Sequence, residues 1–380
     1  MKFYVGDYTN LGGPGVCECE LTKDGLRFIQ NADTRIENPT WLILSADQKT
    51  LFATSSSPSD GEEGGSVATF NVAEGALRLT SMHSTAGHSV CHLTLSPDER
   101  FLYAASYGDG RLTVFPVSDG RIGKRVQLIQ HEGSGPKPQQ NCAHVHFTQF
   151  HPKDGRLYAV DLGIDAVMIY KQDAETGLLT LDERVDAPSG MGPRHLVFRE
   201  DMMYVAHELG GAVSVFRNTS AGWQLEQTVS TMMEGCGDED AVAAIRTLGD
   251  RLYVSNRRND CIAEFEIRMG GTLALERTFS SFGAFPRDFV LLDEGLFLVA
   301  NQNSGDIRLI LAKPQGKPAP RKKRAPSGRL FTGSVFEERL TPIVGYTYLD
   351  EEYTNAGNEV CQIGDELPLP GAVCVCPVKE

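Results

Sequence analysis

Imidazole, guanidinium and carboxylate groups recur in this chain beside short apolar segments, and together they suit hydrolysis of an activated carbonyl compound. They stand in Cys91-His92, His144-Val145-His146, Arg194-His195, His207-Glu208, Ser255-Asn256-Arg257 and Pro286-Arg287-Asp288. An imidazole or a carboxylate can take a proton from water. Fixed guanidiniums stabilise a growing oxyanion and grip a phosphate or carboxylate tail. All nine histidines fall between His83 and His207. Taken singly, each group has a plainer reading: a histidine beside a strand is usually packed, Glu208 is a surface carboxylate, Arg257 pairs with a neighbouring acid. The chemistry therefore depends on whether the fold brings them together.

The elements that would do so repeat. A bulky apolar pair followed by small or apolar residues occurs seven times: Phe3-Tyr4-Val5, Leu51-Phe52-Ala53, Leu102-Tyr103-Ala104, Leu157-Tyr158-Ala159, Met203-Tyr204-Val205, Leu252-Tyr253-Val254 and Leu296-Phe297-Leu298. Neighbouring copies lie 44 to 55 residues apart, the length of one four-stranded propeller blade. Each is followed by an alternating strand such as Arg111-Leu112-Thr113-Val114-Phe115, where period-2 alternation marks half-buried sheet. The expected fold is all-β: a seven-bladed β-propeller of four-stranded blades, with strands A to D running outward and the bulky pair on B. Aligning the A strands places Trp41, His92, His146, His195, Ala244, Asp288 and Val373 at one height around the axis. Thr40, Cys91, Val145, Arg194, Ala243, Arg287 and Ala372 precede them. Three imidazoles and two guanidiniums are then expected at one end of the central channel. Glu208, Arg257 and Asp161 close B strands at the same end.

The chain enters on a B strand and finishes with Ala372-Val373-Cys374-Val375-Cys376, a strand A without its own B. The C-terminal strand should therefore pair with the N-terminal blade and close the ring, hiding two unpaired edges. Residues 1–380 are read as a single propeller domain, with a basic, proline-rich insertion at about 313–357 between strands C and D of the last blade. The formal net charge of −14 argues against nucleic-acid binding, which needs clustered Lys and Arg. No apolar run is long enough for a membrane helix, and Met1-Lys2-Phe3-Tyr4-Val5-Gly6-Asp7 lacks the pattern of a secretory signal, so a cytoplasmic location is expected. Nine cysteines, mostly inside apolar strands, read as reduced packing residues. No metal or cofactor is expected: the histidines show no recognised ligand spacing, Cys17/Cys19 and Cys374/Cys376 lie on strands separated by a third, and the Gly-x-Gly turns lack the strand-to-helix context of a phosphate cradle.

Several segments carry a family likeness. Tyr4-Val5-Gly6-Asp7-Tyr8-Thr9, Cys91-His92-Leu93-Thr94-Leu95-Ser96-Pro97-Asp98, Asp161-Leu162-Gly163-Ile164-Asp165, Gly192-Pro193-Arg194-His195-Leu196, Ser255-Asn256-Arg257 and Pro286-Arg287-Asp288-Phe289 resemble the seven-bladed lactonase family, which includes propeller-type 6-phosphogluconolactonases and carboxymuconate cyclases. The resemblance spans residues 1–312 and resumes near 358–378. It implies His146, Arg194, Glu208 and Arg257 as active-site groups. His92, His144, His195, Arg287 and Asp161 are then candidates for substrate binding. His207 before the glutamate, Asn141-Cys142-Ala143, Asn259 and the basic insertion depart from the family pattern. The implied activity is hydrolysis of a small anionic sugar lactone, foremost 6-phosphogluconolactone, with Glu208 or His146 as the base and the chain a monomer or weak homo-oligomer. Closure of carboxymuconate to a lactone, and a non-catalytic interaction platform, are the alternative readings.

Overall fold

The computed structural model describes residues 1–233, 241–293, 295–313 and 360–378, and these form seven antiparallel sheets arranged as blades. The second strands of the blades, Lys2–Asp7, Thr50–Ser55, Phe101–Ser106, Leu157–Asp161, Met202–His207, Arg251–Asn256 and Leu296–Asn301, carry the bulky pairs. Inside them run the A strands Ala372–Pro377, Leu42–Leu44, Val90–Leu95, Val145–Phe150, Pro193–Arg199, Val242–Leu248 and Pro286–Asp293. The last of these belongs to the seventh blade, whose outer edge is formed by Val360–Gln362 and Leu367–Pro368. Beyond Lys313, the proposed basic insertion lies outside the described residues.

Each bulky pair serves two interfaces, because successive strand residues face opposite sides of a sheet. Leu102 joins one interblade cluster with Phe52, and Tyr103 joins the next with Phe150. Leu157 continues that second cluster, while Tyr158 enters a third with Met203. Seven such clusters fill the gaps between blades. The seventh copy is displaced by one residue from its expected register. Phe297 faces the sixth blade and Leu298 the first, so the pair there is Phe297-Leu298, with Leu296 at the strand edge. Buried tyrosines tie neighbours together through their hydroxyls. Tyr103 donates to the Gly177 carbonyl at 2.9 Å and Tyr204 to that of Gly271 at 2.9 Å. Gly177 sits at φ +72°, and a Cβ there would lie 2.2 Å from the Phe101 ring, so this turn admits only glycine without displacing the adjacent blade.

The C-terminal strand closes the ring as expected. Phe3 pairs with Pro377, Tyr4 with Cys376, Val5 with Val375 and Gly6 with Cys374. The Tyr8 amide adds a bond to the Gly371 carbonyl at 2.9 Å. Cys17 and Cys19 pack on one face of this blade and Cys374 and Cys376 on the other, in different clusters. None of the eight described cysteines is in a disulfide. No helix among the described residues is long and apolar enough to cross a membrane.

Candidate active site

Two positions in every blade build the site. The last residue of each B strand is polar and at most 1% exposed: Asp7, Ser55, Ser106, Asp161, His207, Asn256 and Asn301. Several of these groups tie down the loops at the strand ends. Both Asp7 oxygens accept from the Gly15 amide at 3.1 and 3.0 Å, and the Asn256 amide donates to the Thr231 carbonyl at 3.2 Å. By alternation, the following residue steps off to the other side, giving Tyr8, Ser56, Tyr107, Leu162, Glu208, Arg257 and Gln302.

The A strands supply the second position through a repeated irregularity. Pairing skips a residue at Cys91, His146, Arg194 and Arg287, and skips two at Ala243 and Ala244. A bulge of this kind leaves one residue unpaired and re-aims its side chain. The extra residue also corrects the sequence alignment. His146 is the bulged residue of its blade and matches Cys91, Arg194 and Arg287; Phe147 pairs with Val160 at the height where His92 pairs with Ala105 and His195 with Ala206. In the first blade Cys374, not Val373, pairs at this height, opposite Gly6.

Bulged residues and B-strand successors from several blades meet in one cluster. Glu208 Oε2 accepts from Arg194 Nε at 2.9 Å and lies 2.8 Å from a terminal nitrogen of Arg257. Arg194 also donates to the Ala243 carbonyl at 2.9 Å and to His195 Nε2 at 3.0 Å, and Arg257 Nε donates to the Ala241 carbonyl at 3.0 Å. These bonds fix both guanidiniums. Arg287 donates to Gln302 at 3.2 Å and lies over the Tyr8 ring at 5.4 Å. Among the described residues no carboxylate forms an ion pair with it. Arg258, next to Arg257, is exposed.

Charge in this cluster is strongly coupled. Burial raises the Glu208 carboxyl, but Arg257, Arg194 and Arg287 outweigh it and hold the group below the usual carboxylate range. Burial, followed by Arg194, Arg287 and Arg257, drives His146 well below the usual imidazole value, so its ring is neutral at pH 7. His146 Nδ1 is buried without a partner among the described residues. Burial and Arg257 push Arg194 down to about 9, which still leaves it charged at neutral pH.

One layer deeper, His92 packs between Trp41 and Phe147, each with ring centres at 4.2 Å, and His195 lies 4.7 Å from Phe147. His92 Nδ1 accepts from the Thr148 amide at 3.3 Å, and both imidazoles are nearly fully buried. Asp288 pairs with Arg246 at 2.7 Å and accepts from the Val375 amide at 3.3 Å.

Thus His146, Arg194, Glu208, Arg257 and Arg287 converge, while His92 and His195 form the floor beneath them. His144 sits beside the cluster: its Nδ1 donates to the Tyr107 carbonyl at 2.6 Å, and its ring stacks on Tyr107 at 4.4 Å. Asp161 does not join. Its Oδ1 accepts from the amides of His144, Gly163 and Ile164 at 2.7, 2.9 and 3.3 Å, and its Oδ2 lies 2.8 Å from His131. Asp161 occupies the buried B-strand end, one residue before the position that Glu208 and Arg257 hold in their blades. Tyr8, Tyr107 and Gln302 were missed by sequence reasoning; counting one residue past every B strand, as for Glu208 and Arg257, finds all three. Among the described residues no group of three or more His, Cys, Asp or Glu side chains is arranged to hold a metal ion.

Comparison with known proteins places this geometry in context. The profile described as "Lactonase, 7-bladed beta-propeller" matches residues 2–330. A Bacillus subtilis protein named 6-phosphogluconolactonase is 33% identical over 80% of this chain and 89% of its own length. The structure of a Pseudomonas aeruginosa periplasmic gluconolactonase superposes with a TM-score of 0.74 at 29% identity, covering 83% of this chain and 93% of that one. A protein from Lactobacillus plantarum superposes with a TM-score of 0.79 at 25% identity over 98% of both chains. The chain therefore belongs to the seven-bladed β-propeller lactonase family.

Proposed function

We propose that this protein hydrolyses an anionic sugar lactone, with 6-phosphogluconolactone as substrate and 6-phosphogluconate as product. The observation that carries the reading is the charge arrangement of the cluster. Two guanidiniums pair with one carboxylate and a third stands near it without a pair, leaving an excess of two positive charges where a phosphorylated, electron-rich substrate would lie. Glu208 Oε2 takes both arginine contacts, and no hydrogen bond engages Oε1 among the described residues. Oε1 is the base: it takes a proton from water as the oxygen attacks the lactone carbonyl. Arg194 and Arg257 face the oxyanion that develops, in a buried setting where fixed donors act strongly. An anion bound between them draws on their charge and loosens their hold on Glu208, so the carboxylate becomes a better base once substrate is present. His146, kept neutral, offers a ring that adds no further positive charge. Arg287, without a carboxylate of its own, suits the phosphate.

A phosphorylated substrate cannot readily leave a cell, which supports a cytoplasmic place in the pentose phosphate route. A pH-stat assay of purified protein against 6-phosphogluconolactone, unphosphorylated gluconolactone and carboxymuconate tests the reading. Preferred turnover of the phosphorylated lactone supports it, and turnover of carboxymuconate alone would replace it with a cycloisomerase.

A further inference from the structure

Tyr107 has no part in the scheme above, yet it occupies the position in its blade that Glu208 and Arg257 occupy in theirs. It is held from two directions. Its ring stacks on His144 at 4.4 Å with an interplanar angle of 14° and meets His146 edge-on at 5.6 Å. Its carbonyl accepts from His144 Nδ1 at 2.6 Å. The His144 amide is in turn fixed by Asp161 at 2.7 Å. For all this anchoring, the Tyr107 hydroxyl meets no hydrogen-bond partner among the described residues, and the residue is only half-buried. Tyr103 and Tyr204 spend their hydroxyls on carbonyls of the next blade, whereas the hydroxyl of the half-buried Tyr107 is left open. A rigid ring with an open hydroxyl, set against His146 and close enough to feel the Glu208 charge, points to a ligand.

We propose that Tyr107 is a further catalytic residue, whose hydroxyl gives its proton to the ring oxygen of the lactone as the acyl–oxygen bond breaks, with His144 as the positioning residue that aims it. The inference rests on the lactonase reading above. Water oxygen bonds to the carbonyl carbon while Glu208 takes one of its protons. The acyl–oxygen bond then breaks, its electron pair stays on the ring oxygen, and that oxygen receives the Tyr107 proton. The phenolate recovers a proton from Glu208 through solvent, so water is added across the bond with nothing left over. Burial, the Glu208 charge and Cys91 push the Tyr107 phenol up to about 12, so it stays protonated at working pH, the state a donor needs.

Steady-state kinetics and thermal melts of wild type, Tyr107→Phe, His144→Ala, His144→Gln and Tyr107→Phe/His144→Ala test this. With 6-phosphogluconolactone, Tyr107→Phe should lose about 10²-fold in kcat, with KM nearly unchanged and the same Tm, since the hydroxyl has no protein partner to lose. His144→Ala should lose a comparable factor, the double variant no more than the larger single loss, and His144→Gln, which keeps an N–H for the Tyr107 carbonyl, should recover part of the rate. An unchanged kcat in Tyr107→Phe, or a rise in KM alone, overturns the assignment. Losses that multiply in the double variant overturn the positioning role. A wild type without lactonase activity removes the underlying reading instead, and the control rate tells the two failures apart.

Discussion

At the scale of single residues, charge in the cluster is shared unequally. Arg194 and Arg257 both lean on Glu208, and Arg287 leans on a neutral amide and an aromatic face. Replacing Arg287 should therefore alter selectivity more than chemistry. Arg287→Ala is expected to lower kcat/KM for 6-phosphogluconolactone by about 10 to 100-fold, the range of a charge-assisted contact, and to leave unphosphorylated gluconolactone within a few-fold, as measured by parallel pH-stat assays. Asp7, at the buried end of the first B strand, offers a test of electrostatics away from the chemistry. Burial raises its carboxyl to about 7, against partial relief from the Gly15 amide and Arg35. A carboxyl raised on folding binds its proton more tightly in the native state, so stability is greatest below the ordinary aspartate value near 3.8 and falls as pH climbs to about 7. Asp7→Asn removes that titration. Its Tm advantage over wild type should grow between pH 4 and pH 7 and then level off, and a pH-independent difference would show that the Asp7 carboxyl is not raised.

At the scale of elements, the blade is a counting device that delivers one residue per strand end to the axis, and its irregularities decide which residue. The seven apolar pairs and the closing C-terminal strand were legible in the sequence because period-2 burial leaves a plain pattern. The slip to Phe297-Leu298 was not, since Leu296, Phe297 and Leu298 are all apolar and either pairing satisfies composition. The bulges were invisible for a related reason. An extra residue in the strand holding His146 changes no residue type, yet it moves His146 up to the height of Arg194 and sends Phe147 to meet His92 and His195. Asp161 was misplaced by the same margin, as a polar strand end looks alike whether it binds backbone or substrate. That Arg194, Glu208 and Arg257 come together was readable, because the blade repeat sets each of them at a strand end. Closure supplies an element-scale prediction. Removing residues 366–380 strips the first blade of its inner strand and exposes the B strand edge from Phe3 to Asp7; soluble, cooperatively melting protein should be lost, and a truncated chain with native circular dichroism and Tm would show that the ring does not depend on this pairing.

At the scale of the whole molecule, an acidic body of net charge −14 carries a local group of guanidiniums where the inner strands of its later blades begin. Under the proposed function, such a contrast would draw an anionic substrate to the cluster, and the attraction would weaken as salt screens it. Raising ionic strength from about 0.02 to 0.5 M should therefore lower kcat/KM for the phosphorylated lactone several-fold while kcat moves little, and a salt-insensitive kcat/KM would contradict steering. The toroid also explains how residues as distant in sequence as His146 and Arg287 act together: each sits on a different blade, and the ring sets their separation. The central claim is that this convergence makes Glu208 the base among guanidiniums that bind the anion. It is tested most directly by measuring turnover of 6-phosphogluconolactone and binding of 6-phosphogluconate in Glu208→Gln. The account predicts a kcat lower by about 10² to 10⁴-fold with product affinity kept or increased, because the arginines lose their internal competitor; wild-type turnover in that variant would contradict it.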